Sequence, residues 1–80
     1  MADPTDVAAT KMVRRELNKR MIDVNLADIR VMHGVCYIRG VVRAIKGGPQ
    51  DVRAEIELLG RVLMNARRIR DCVVDVVVRT

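Results

Sequence analysis

Aromatic side chains are nearly missing from this 80-residue chain, which has no Phe, no Trp and one Tyr, Tyr37. A core must therefore be aliphatic, and the stacking platform of single-strand nucleic-acid binders is not available. Serine is absent altogether, which removes the commonest hydroxyl nucleophile. Two cysteines, Cys36 and Cys72, and one histidine, His33, make neither a disulfide framework nor a C-x-x-C metal knuckle. No apolar run reaches the roughly 20 residues of a membrane-spanning helix. The start, Met1-Ala2-Asp3-Pro4-Thr5-Asp6, lacks the basic-then-apolar layout of a secretory signal. As written the chain is expected in the cytoplasm, or in the periplasm or envelope if a signal has been trimmed.

What is present suits one small domain over residues 1–80. Half of the residues are hydrophobic, enough for a single core at a size where cores are marginal. The net charge of +5 and pI near 10.0 favour anionic partners. Asp3, Pro4 and Asp6 look like a helix start, with Asp3 as cap, Pro4 in the first turn and Asp6 as capping-box acceptor. That helix is expected to run to about Met21, with Ala9, Val13, Leu17 and Met21 on one side. Lys11, Arg14, Arg15 and Lys19 gather opposite them as a basic ridge.

Residues Asp23 to Ala27 read as a connector and Ile29 to Met32 as a short strand. Gly34-Val35-Cys36-Tyr37-Ile38-Arg39-Gly40-Val41-Val42 alternates apolar positions between glycines and continues as a strand to about Ile45. His33-Gly34 serves as a two-residue hairpin turn. This turn sets Val31 opposite Cys36 and Ile29 opposite Ile38 on one face, with Arg30 opposite Tyr37 and Asp28 opposite Arg39 on the other. Lys46-Gly47-Gly48-Pro49 then breaks the strand. Pro49 opens a second helix to about Asn65, striped by Val52, Ile56, Leu59, Leu63 and Ala66. On its exposed side Arg53, Glu57 and Arg61 stand at ion-pair spacing. Gly60 inside this helix marks a close approach to another element. A last strand covers about Arg70 to Arg79. The order α-β-β-α-β predicts an α+β two-layer sandwich, a three-stranded sheet with two helices packed on one face. A parallel pairing of the last two strands would require a right-handed crossover.

These residues resemble a BON domain, a small bacterial module associated with osmotic-stress and nodulation proteins. Gly34, Cys36, Ile38, Gly40 and Val42 fit the family's central glycine-and-alternation pattern, and Ile69, Cys72, Val76 and Val78 fit its final strand. Arg68 stands where the family usually has Gly, and Val74 where it often has Asn. The resemblance covers nearly the whole chain. It implies a non-catalytic module that binds phospholipid or envelope proteins, or helps larger structures assemble, and some members of the family are cytosolic and bind small ions; no cofactor is expected from the residues here.

Several candidate sites follow from the residues themselves. Cys36, Cys72 and His33 are core packing and turn residues on one reading, and zinc ligands or a thiol nucleophile on the other. Lys46, Gly47 and Gly48 precede a helix, where free N–H groups could cradle an anion, though a plain turn is the simpler reading. With Lys11, Arg14, Arg15 and Lys19 they make a candidate anion-binding surface for phospholipid headgroups, with RNA the weaker ligand. The outer face of the sheet is the least ordinary feature. Met32, Val35, Tyr37, Val41, Val73 and Val77 fall on the side that no helix is expected to cover, and Leu58 falls on the exposed side of the second helix. They are the candidate partner interface, for a homo-oligomer or for an envelope or scaffold protein. No catalytic or metal site is expected.

Overall fold

The structure, a computed structural model, describes residues 4–79. Helix α1 (Pro4–Lys19) leads into strand β1 (Ile22–Met32), which turns into β2 (Val35–Ala44). Helix α2 (Val52–Asn65) then crosses to β3 (Asp71–Arg79). The sheet order is β1-β2-β3, antiparallel for β1 with β2 and parallel for β2 with β3. This is the expected α-β-β-α-β two-layer arrangement. Helix α1 packs over β1 and α2 mainly over β3, so the two helices share one side of the sheet. Between the layers Val13, Leu17, Ile22, Ile38, Val42 and Ile56 are fully or almost fully buried. The core is entirely aliphatic apart from its cysteines.

The hairpin has the expected register. Val31 pairs with Cys36, Arg30 with Tyr37, Ile29 with Ile38 and Asp28 with Arg39. His33 and Gly34 both take positive φ, 53° and 80°, as a two-residue hairpin turn requires. A carboxylate holds the turn in place. The His33 N–H donates to Asp6 Oδ2 at 2.9 Å and the Gly34 N–H to Asp6 Oδ1 at 3.2 Å. One turn along α1, the Thr10 hydroxyl donates to the Asp6 carbonyl and accepts the Val31 N–H. Asp6 therefore serves the hairpin and not a capping box, because the turn offers two converging N–H donors. The expected cap Asp3 lies outside the described residues.

Three boundaries differ from expectation, each for a physical reason. Helix α1 stops at Lys19, before Met21. Met21 takes φ 61°, and its carbonyl accepts the Ile45 N–H, so it leaves the helical stripe and is exposed. The expected connector Asp23–Ala27 is strand. β2 is ten residues long and needs a partner of matching length, so Ile22 pairs with Ala44 and Leu26 with Val41. A bulge between Asp23 and Leu26 absorbs the polar residues. There the Asp23 carboxylate accepts the Asn25 N–H at 2.9 Å and the Arg43 Nε–H at 3.1 Å. The Asn25 bond first and Arg43 second hold this carboxyl below its ordinary 3.8. Its charged form thus favours the fold above that pH, and the contribution is lost as pH falls through the lowered value.

Helix α2 starts at Val52 and not at Pro49. Asp51 caps it, accepting the Ala54 N–H at 3.0 Å, and this carboxylate outcompetes the proline as a start signal. Ala66 falls at the C-cap and is exposed, outside the buried stripe of Val52, Ile56, Leu59 and Leu63. Gly60 does mark a close approach. A Cβ there would sit 3.1 Å from both Cβ and Sγ of Cys72 on β3. The ion pairs expected among Arg53, Glu57 and Arg61 do not form, because Arg53 turns to the sheet and donates to the Val76 carbonyl at 2.6 Å. The ion pairs that do form include Arg20 Nε with Glu55 at 3.3 Å, which ties the end of α1 to α2.

The Asp6 clamp is a charge-assisted contact spanning 27 residues of sequence. Asp6→Ala is expected to destabilise the protein by about 1–2 kcal/mol, reduced from the buried case because water reaches the turn. Urea denaturation checks this, with Asp6→Asn losing less because one acceptor oxygen remains.

Candidate protein-binding face

Strand register arranges the uncovered side of the sheet into rows. Across β1, β2 and β3 these run Met32–Val35–Asp71, Arg30–Tyr37–Val73, Asp28–Arg39–Asp75, Leu26–Val41–Val77 and Asp23–Arg43–Arg79. Inward-facing neighbours alternate with them, as the pleat demands. No helix covers these rows. Val77 is 61% exposed, Met32 46% and Val73 38%, while Val35, Tyr37 and Val41 are half-buried among their neighbours. Leu26, at 76%, is the most exposed large apolar residue of the described chain. It falls outside the expected interface because its segment reads as a connector. Once β1 is extended through the bulge, Leu26 stands beside Val41 and Val77.

The face is striped rather than uniformly apolar. Arg39 stands between Asp28 and Asp75 and lies over the Tyr37 ring, 5.1 Å from its centroid. A cation at that distance favours the ring face. Arg30 pairs with Asp28 at 3.6 Å. At the far end, Asp23, Asn25, Leu26, Val41, Arg43 and Arg79 line a cleft of about 410 Å³. Leu58 does not join this surface. It is 43% exposed on α2, in the other layer, one turn from the equally exposed Val62.

The candidate anion-binding residues fall into two groups. Lys11, Arg14, Arg15 and Lys19 are exposed along α1, and Lys19 pairs with Glu16 at 3.7 Å. The Lys46-Gly47-Gly48 turn lies against the residue that follows α1, since a Cβ on Gly48 would collide with the Met21 carbonyl oxygen. It makes a poor cradle. The Gly48 N–H already donates to the Ile45 carbonyl, and the Asp51 carboxylate occupies the start of α2.

Cys36 is fully buried in the core, while Cys72 is half-buried beside it and His33 lies exposed in the turn. The structure thus separates His33 from the thiols, and no metal-binding group of three or more ligands occurs among the described residues. Among the described residues no helix is long and apolar enough to cross a membrane.

The two edges of the sheet differ. At β1 the Thr10 hydroxyl takes the Val31 N–H, so α1 guards that edge. Among the described residues no strand pairs with the outer side of β3, and alternate residues from Cys72 to Val78 turn their backbone groups outward. Two of those groups are occupied from within the chain: the Cys72 N–H by Asp71 and the Val76 carbonyl by Arg53. A valine-rich edge invites pairing with other chains unless such devices blunt it.

The chain matches no family model, no curated protein and no solved structure.

Arg53→Ala removes the Arg53 contact to Val76. The expected results are a loss of about 1 kcal/mol in chemical denaturation and faster concentration-dependent aggregation on mild heating, followed by turbidity.

Proposed function

We propose that this chain is a non-catalytic assembly module that associates with a second copy of itself through the outer face of its sheet. The observation that carries this reading is the order of the rows on β2 and β3. Consider a two-fold axis in the interface, running along the strands between β2 and β3. It sets every outward residue over the register partner of its own neighbour. Tyr37 meets Val73 of the other copy, Arg39 meets Asp75, and Val41 meets Val77. The three central rows are then complementary, apolar on apolar and Arg39 on Asp75, while the two end rows set Val35 over Asp71 and Arg43 over Arg79. Such self-complementarity is what an isologous interface requires.

Magnitude sets the strength. The two strands that overlap, about 4.8 Å apart and about ten residues long, present roughly 300 Å² per copy in projection. Two such faces fall short of a standard-size interface, so the association is weak and concentration-dependent. The fold and the glycine-spaced strand are those that resemblance to the BON family implies, and a module of that kind serves assembly rather than catalysis. An envelope or scaffold protein with the same striping is the other occupant of this face.

A second reading rests on α1. Lys11, Arg14 and Arg15 are exposed on one helix and outside its ion pairs, whereas Lys19 and Arg20 engage Glu16. That ridge suits an anionic phospholipid surface. It is independent of the sheet face, which lies in the opposite layer.

Light scattering across a concentration series tests the first reading. The weight-average mass is expected to rise toward the dimer. Arg39→Asp should suppress that rise and the double variant Arg39→Asp with Asp75→Arg should restore it, with circular dichroism confirming the fold. A strict monomer at the highest soluble concentration refutes self-association. Liposome flotation tests the second: binding to phosphatidylglycerol vesicles is expected to fade with added salt and to drop when Arg14 and Arg15 are both changed to Gln.

A further inference from the structure

Cys36 and Cys72 are direct register partners on adjacent parallel strands, and both turn to the helix-covered side of the sheet. Adjacent strands lie about 4.8 Å apart, inside the roughly 4.4–6.8 Å Cα separation that a disulfide spans. The two thiols also occupy different surroundings. Cys36 is completely shielded, whereas Cys72 is half-buried on the edge strand. Above Cys72 the helix comes close: a Cβ on Gly60 would stand 3.1 Å from its Sγ, tighter than ordinary contact. The sulfur is thereby hemmed in from the α2 side.

We infer that Cys36 and Cys72 form a redox modification site, in which Cys72 attacks hydrogen peroxide and Cys36 resolves the product into an intrachain disulfide. The chemistry follows from the placement. The Cys72 thiolate attacks the peroxide O–O bond, one oxygen joins the sulfur as a sulfenic acid, and the other leaves as hydroxide, which is protonated to water. The Cys36 sulfur, giving up its proton, then attacks the Cys72 sulfur. The S–S bond forms and the second oxygen departs as water. Two thiols are oxidised by two electrons and one peroxide is reduced to two waters. Acidity agrees with this division of labour. The pairing with Cys36 lowers the Cys72 thiol, against the raising effects of its own burial and of Asp71, and the same pairing together with burial pushes Cys36 up. The less buried cysteine is therefore the one whose thiolate is favoured, as an attacking thiol requires. A disulfide here asks the two strands to draw together, because opposed Cβ atoms in a sheet stand wider apart than the roughly 3.8 Å of a bridge. Strain of that kind marks a bond that reductants reopen, not a permanent staple. The site does not depend on the assembly reading.

The test uses the intact chain. The protein is exposed to hydrogen peroxide, alkylated under denaturing conditions and weighed. The monomer is expected to lose two hydrogens and both alkylation sites together, to recover them in dithiothreitol, and to yield a linked Cys36–Cys72 peptide on digestion. In Cys36→Ala, dimedone is expected to trap a sulfenic acid on Cys72. If that core variant fails to fold, peptide mapping of the unaltered chain decides between the same outcomes. Both thiols staying alkylatable, bridges only between chains, or over-oxidation of Cys72 with Cys36 still free would each overturn the inference.

Discussion

One carboxylate holds the architecture in register. Asp6, one turn into α1, accepts the two N–H groups of the His33-Gly34 turn, and that turn decides which side of β1 and β2 faces the helices. A slip of one residue would send Ile29, Val31, Cys36 and Ile38 to water and bring Arg30 and Arg39 into the core. β3 then takes its alignment from β2, residue for residue from Val35 with Asp71 to Arg43 with Arg79. The inner core and the outer rows are consequences of the same alignment. With no aromatic residue in the core to act as an anchor, polar contacts at the turn and tight aliphatic packing share the task of specifying one structure.

Local patterns announce the elements that carry strong periodicity. The alternation from Val35 to Val42 and the stripe Val52, Ile56, Leu59 and Leu63 place a strand and a helix correctly, and the hairpin turn gives the right partners. The first half of β1 is hidden because Asp23, Asn25 and Asp28 are poor strand formers. Their conformation is imposed by the length of β2 and by the Asp23 contact to Arg43, which lie some 20 residues away in sequence. The signal that could reveal it is geometric: a ten-residue strand leaves half its backbone unpaired beside a four-residue partner. Missing that segment also hides Leu26. The positions of Asp6 and Arg53 are legible only as local helix features, a cap and an ion-pair partner, because their real donors and acceptors belong to other elements. Leu58 joins the sheet residues on exposure alone, and exposure does not say which layer a residue belongs to.

A few charged side chains tie the elements of this molecule together. Arg20 links both helices through Glu16 and Glu55, Arg43 closes the bulge, and Arg53 reaches a strand carbonyl. The contacts to Glu55, Asp23 and the Val76 carbonyl each join two elements, while Arg20–Glu16 closes the end of α1. The remaining basic residues of α1 stay in solvent, which keeps a half-hydrophobic chain of this size charged on its helical side.

The striping of the outer face also restricts how it can be read by anything flat. Neighbouring rows repeat about every 6.7 Å, two residues along each strand. A layer displaced by one row would set guanidinium and carboxylate groups against valine. A displacement of two rows would bring Tyr37 over Val77 but also Arg39 over Arg79 and Val35 over Asp75, and would leave only about three of the five rows in contact. The surface therefore behaves like a short ruler with few marks, on which one alignment is far better than its neighbours.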